Sequence, residues 1–177
     1  TGDVRYADHL EKVAFNALPT QITDDFMARQ YFQQANQVMV TRHFRNFDVN
    51  HDGTDVCFGL FTGYPCCTSN MHQGWPKFTQ NLFYATPGNG IAALVYAPSG
   101  VTAKVADGSE VTIEEQTDYP FRDKIRFVIF LPENRKMLRF PFHLRIPAWC
   151  REPVVKINGT EQKIPHKEGI MIINRNW

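Results

Sequence analysis

Two cysteines stand side by side at Cys66 and Cys67, inside the run GYPCCTSNMHQGWPKF at residues 63–78. A disulfide between neighbours forces the intervening peptide out of its planar trans geometry, so the pair reads as two separate thiols. They stand directly before an expected helix, where the positive end of the backbone dipole and unpaired N–H groups favour a thiolate. A thiolate is both a nucleophile and a zinc ligand. Two buried structural cysteines are the competing reading, and residue physics alone leaves the two level. Zinc normally takes four ligands, and the local candidate set is Asp55, Cys57, Cys66 and Cys67. Against it stands the plainer reading of Cys57 as a small apolar loop residue.

The other candidates are ordinary by type. Glu11 lies one helical turn from Asp8 and Phe15, and a helix carboxylate is usually solvated. Tyr31, with QQANQ close behind it, forms a polar–aromatic cluster of the kind that contacts sugars, and the same composition is common in loops. His51 and His72 are lone histidines, more often structural than catalytic. Asn158-Gly159-Thr160 matches a glycosylation acceptor, but a hairpin turn explains the same residues. There is no phosphate-binding glycine loop, no Ser–His–Asp pattern and no internal repeat.

A chain of 177 residues can bury a real core, and 43% hydrophobic with 21% charged residues is globular rather than disordered. A formal net charge of +1 without a long basic run gives no footprint for nucleic acid. No apolar stretch approaches a membrane span, and no signal-peptide pattern opens the chain. Four cysteines are too few for a disulfide scaffold of this length, which leaves the redox compartment open. The aromatic share, 13%, suits the floor of a sugar-binding cleft, although core packing is the commoner use of any one ring.

The elements that must position these residues fall into two textures. Val4, Leu10, Val13, Ala14, Ala17 and Leu18 have helical spacing, with Asp3 as N-cap and Pro19 as stop. Residues 20–68 keep no period and predict long loops, with short strands around QVMVTRHF. A second helix is expected over about Asn70–Tyr84, burying Phe78, Leu82 and Phe83, with Pro76 either in its first turns or kinking it. After TPGNG, short β-rich runs alternate with turns, and Asn158-Gly159 predicts a type I′ hairpin. The spacing predicts an antiparallel sandwich, with a boundary near residue 88. One helix pair cannot close a helical core, and INRNW stops where a strand should continue, so the chain is expected to be a piece of something larger.

RYADHLEKVAFNALP, then YPCCTSNMHQGWPKF…LFYA, then HLRIPAWC…VKING resemble, in that order, the zinc-dependent cysteine glycosidases of glycoside hydrolase family 127 and their close relatives. The similarity covers nearly the whole chain, and β-L-arabinofuranosidase is the best-known activity there. The resemblance implies an α+β fragment: residues 1–88 as the C-terminal part of an (α/α)6 catalytic barrel, and residues 89–177 as a truncated antiparallel β-sandwich domain. Cys66 would then be the nucleophile that forms a glycosyl-cysteine intermediate, with Cys66 and Cys67 as ligands of the cofactor, zinc. Glu11 would bond sugar hydroxyls, and Tyr31 would be a second substrate contact. The partners implied are a carbohydrate substrate and the N-terminal barrel portion, which would bring the Glu-x-Cys ligands and the general-acid glutamate.

The chain departs from the family's pattern at Thr68-Ser69, where the characterised arabinofuranosidases carry two prolines. It departs again at QQANQV, in place of a proline-containing, acidic-ended segment. These changes bear on the sugar more than on the chemistry. The competing function is a non-catalytic carbohydrate-binding or interface module, which gives the cysteine pair no task.

Overall fold

The computed structural model describes residues 2–34, 36–38, 40–44 and 52–177, and His51 lies outside them. Helix α1 (Arg5–Lys12) begins as expected: Asp3 Oδ1 accepts the Arg5 backbone N–H at 3.0 Å, satisfying a donor that a first turn leaves open. A π-helical turn (Val13–Ala17) and a single turn, α2 (Leu18–Thr20), follow. Pro19 is the second residue of α2 rather than a stop: the chain stays helical through Ala17 and Leu18, whose N–H bonds the Val13 carbonyl, and the helix ends at Thr20, one residue beyond the proline. The π turn breaks the 3.6-residue period, and the expected apolar stripe breaks with it. Glu11 and Ala14 are buried, whereas Leu10 and Val13 are 37% and 42% exposed.

The chain divides into two compact units, Lys12–Phe78 and Thr1–Glu11 with Thr79–Trp177. In the first, the expected loops are pinned by isolated bridges, Ile22 to Arg29 and Arg29 to Gly59. The described residues of QVMVTRHF form no strand, contrary to expectation. Helix α3 (Pro65–Met71) starts earlier than predicted, so the cysteines lie within its first turn instead of before it. Pro65, with φ pre-set and no N–H to leave unpaired, is the natural first residue there. The expected single helix is broken at residues 72–73, and Pro76 lies in the first turn of a separate helix, α4 (Gly74–Thr79). Phe78 is buried and meets Phe15 and Trp75 edge-on at 5.3 and 6.0 Å.

Phe83 and Tyr84, expected on the second helix, instead open strand β1 (Phe83–Thr86). It pairs antiparallel with β2 (Gly90–Ala93), Phe83 opposite Ala93, and pairing with a buried neighbour overrides the local helical period. Strands β3 (Ser99–Val105), β4 (Ser109–Thr117) and β5 (Ile125–Phe130) make a three-stranded meander. Then come β6 (Arg139–Arg145), the hairpin of β7 (Val155–Ile157) and β8 (Thr160–Gln162), and finally β9 (His166–Lys167) and β10 (Ile170–Asn176). The larger sheet runs β1-β2-β6-β10-β9.

The arrangement is not purely antiparallel. β2 and β6 are parallel, Ala92 opposite His143, because the crossover between them carries the whole β3–β5 sheet and re-enters from the same end. Phe127 of β5 meets Phe142 of β6 edge-on at 5.0 Å, so the two sheets share one core with Ile113 and Phe140. The Asn158-Gly159 hairpin forms as the sequence predicts. Ile157 lies opposite Thr160, and both turn residues have positive φ, 50° and 85°.

Candidate functional site

In the unit Lys12–Phe78, Tyr64 is extended (φ −86°, ψ 133°) and its carbonyl accepts the Cys67 N–H at 3.2 Å, which closes the turn holding both cysteines. Cys66 is exposed, Cys67 half-buried, and both are free thiols. Arg29, 4% exposed, donates from Nη2 to the Tyr64 carbonyl at 2.6 Å and from Nε to Thr68 Oγ1 at 2.7 Å. Tyr31 lies edge-on to Tyr64, with ring centroids 5.5 Å apart. At Gly63 (φ +62°) a Cβ would stand 2.1 Å from Tyr31 Cγ, so the glycine lets the tyrosine lie flat on the chain entering the cysteine turn. Of the four residues to which the resemblance gives roles, three (Tyr31, Cys66 and Cys67) are thus brought together by one loop-and-turn framework.

The electrostatics of the pair differ from the expectation. Burial pushes the Cys67 thiol up, the hydrogen bond and charge of Cys66 push it further, and Arg29 opposes them. A turn of helix only seven residues long does not offset that at Cys67. The Tyr31 hydroxyl is also raised, by desolvation first and then by Cys67.

Among the described residues no group of three His, Cys, Asp or Glu is close enough to hold a metal ion, so Asp55 and Cys57 do not join the pair. Two adjacent thiols fit two corners of a tetrahedral site and leave two unfilled. His72 sits at the C-terminal end of α3.

Glu11 belongs to the other unit, where it is 6% exposed. Its Oε1 accepts the Tyr96 backbone N–H at 3.1 Å and a bond from Arg145 Nη2, and its Oε2 accepts the Tyr119 hydroxyl at 2.6 Å. Arg145, 1% exposed, reaches Asp8 Oδ1 through Nη1 and the Leu94 carbonyl through Nε, both at 2.5 Å. Its Cζ lies 5.3 Å from the centre of the Tyr96 ring. The usual solvated helix carboxylate is therefore not what Glu11 is. Sequence reading misses Arg145, although RYADHLE and HLRIPAW both stand out in it: the two segments meet here, Asp8 and Glu11 on one helical face against one guanidinium.

A second buried carboxyl lies near this cluster. Glu115 Oε1 accepts the Ala97 N–H at 3.1 Å, while Oε2 has no partner among the described residues. Burial first, opposed by the Ala97 bond and reinforced by Glu11, pushes it up to about 8. Folding then favours the protonated form. The stability it contributes is complete below the unfolded value near 4.5 and is lost as pH rises towards 8. We expect Glu115→Gln to melt higher than the parent at pH 8.5 and to lose that advantage near pH 4.5. Scanning fluorimetry over this range checks it, and a variant with the parent's pH profile would refute it.

The comparisons bear on both units. The family described as β-L-arabinofuranosidase, GH127 middle domain, matches residues 90–177. A non-reducing end β-L-arabinofuranosidase of Bifidobacterium longum subsp. longum is 26% identical over 155 residues, which are 87% of this chain and 22% of that protein. The chain thus spans under a quarter of that curated relative's length. A GH127 β-L-arabinofuranosidase structure from Geobacillus stearothermophilus T6 superimposes with TM-score 0.80 at 24% identity, over 99% of this chain and 27% of that one. A structure described as a glycoside hydrolase gives 0.77 at 22% identity, over 100% of this chain and 28% of its own. Vicinal thiols in a helix's first turn, the order of the marked segments and these matches lead to one assignment: the chain belongs to glycoside hydrolase family 127 and its close relatives, with residues 90–177 in the place of that family's middle domain.

Proposed function

We propose that the whole protein is a retaining glycosidase acting on L-arabinofuranosides, and that this chain carries its nucleophile. Residues 1–88 would contribute to an (α/α)6 barrel and residues 89–177 to a β-sandwich. The supporting observation is the turn itself, which holds an exposed thiol, Cys66, beside a half-buried one, Cys67, against Arg29 and Tyr31. The Cys66 sulfur would attack the anomeric carbon as the glycosidic C–O bond breaks, and an acid from outside these residues would protonate the leaving oxygen. Water would then displace the sulfur from the opposite face, so that two inversions give net retention. A zinc ion held in part by Cys66 and Cys67 would keep those sulfurs as thiolates.

Tyr31 would present its ring and hydroxyl to the sugar. Glu11 has less to offer than its type suggests. Three of the roughly four acceptor positions of a carboxylate are filled internally, leaving room on Oε2 for one sugar hydroxyl.

Two measurements test the reading. The whole protein should release L-arabinose from an activated β-L-arabinofuranoside when zinc is supplied; oligosaccharide binding without turnover would favour a binding module instead. This chain alone, with only two thiol ligands together, should show no tight stoichiometric zinc site by titration. A tight one-to-one site would contradict that and bring back the Asp55 and Cys57 set.

A further inference from the structure

Arg29 is a buried guanidinium whose bonds fall on both sides of the cysteine pair. Nη2 holds the carbonyl of Tyr64, two residues before Cys66, and Nε holds the hydroxyl of Thr68, directly after Cys67. Each anchor is itself tied down. The Tyr64 carbonyl also accepts the Cys67 N–H, and Thr68 Oγ1 donates to the Leu60 carbonyl at 2.8 Å. The backbone of Arg29 is fixed in turn. Its N–H and C=O exchange bonds with Gly59 at 3.2 and 2.9 Å, and the Thr62 hydroxyl donates to its carbonyl at 3.0 Å. The guanidinium carbon stands 5.9 Å from the centre of the Tyr31 ring. Nη1 is buried and has no partner among the described residues, an uncommon state for so strong a donor.

We propose, resting on the nucleophile assignment above, that Arg29 is the positioning residue of this site. It spans the Cys66–Cys67 turn from Tyr64 to Thr68 and fixes where the two sulfurs stand relative to Tyr31. A planar fork with donors in divergent directions can do this, whereas a lysine ammonium has the charge but not the span.

The test uses the whole zinc-loaded protein with Arg29→Lys, Arg29→Ala and Thr68→Val. Because a small misplacement of reacting atoms is costly, Arg29→Lys should lower kcat at least about tenfold with KM changed less. Thr68→Val should move kcat the same way by a smaller factor, and guanidinium ion at millimolar concentration should partly restore Arg29→Ala. Independently of turnover, amide hydrogen exchange should speed up at residues 66–68 in Arg29→Lys and stay as in the parent elsewhere in Lys12–Phe78. Exchange raised evenly throughout that unit would mean a merely structural arginine and would overturn the proposal. So would unchanged exchange at residues 66–68 in both Arg29→Lys and Thr68→Val. If the parent hydrolyses no arabinofuranoside, the functional reading fails, while the exchange measurement still decides whether Arg29 positions the turn.

Discussion

On the mechanism proposed above, Cys66→Ser should reduce turnover by the whole zinc-loaded protein on the order of a thousandfold or more, to the limit of detection, because an attacking group cannot be replaced by its neighbours. The sulfur matters in two ways. A serine hydroxyl is almost entirely un-ionised near neutral pH, and it is a poor zinc ligand beside a thiolate. The change is small in volume and lies on an exposed side chain, so the melting temperature should barely move. Cys67→Ser makes the contrast. Cys67 is half-buried behind its neighbour, and its replacement should first reduce zinc content and only through that lower activity. Measuring zinc stoichiometry, melting temperature and hydrolysis on both variants separates the two roles. Near-parental hydrolysis by Cys66→Ser would end the nucleophile assignment.

Short-range signals carried most of what could be read in advance. Asp3 as a cap, the Asn158-Gly159 hairpin and the β-rich second half each depend on a few adjacent residues, and each appears in the structure. What failed depended on a partner strand, whether close in sequence or far. Phe83 and Tyr84 continue a helical pattern locally and become a strand because Ile91–Ala93 offers them a ladder. The parallel β2–β6 pair is invisible to any local pattern, since the two strands are separated by a complete sheet. The candidate site divides in the same way. The cysteine pair announces itself by being improbable, whereas Arg29 and Arg145 look like any surface arginine until burial and partners are known. A clue was present for Arg145, a charge set into the apolar RFPFHLRIPAW, but its partners Asp8 and Glu11 are more than 130 residues away.

Arg145→Met is the substitution from which we expect the largest loss of stability, about 3–5 kcal/mol, because it leaves charge buried without compensation. The arginine is 1% exposed and serves Glu11, Asp8 and the Leu94 carbonyl together. Without it Glu11 keeps the Tyr96 N–H and the Tyr119 hydroxyl, which are donors but not counter-charges. Methionine fills most of the volume, so cavity formation is a minor part of the loss. The control is the double variant Arg145→Met with Glu11→Gln, which removes the more deeply buried of the two stranded charges and leaves that of Asp8. It should recover part of the loss, and the non-additivity in urea unfolding would measure the coupling directly. Glu11→Gln alone also separates two roles for that carboxylate. If Glu11 only anchors the first helix to β6, stability falls while hydrolysis per folded molecule stays near the parent's. If its remaining Oε2 position receives a sugar hydroxyl as well, kcat/KM falls about tenfold or more in the folded enzyme, the cost of one charge-assisted bond. An Arg145→Met midpoint within about half a kcal/mol of the parent would show that water reaches the cluster and that the ion pairs contribute little.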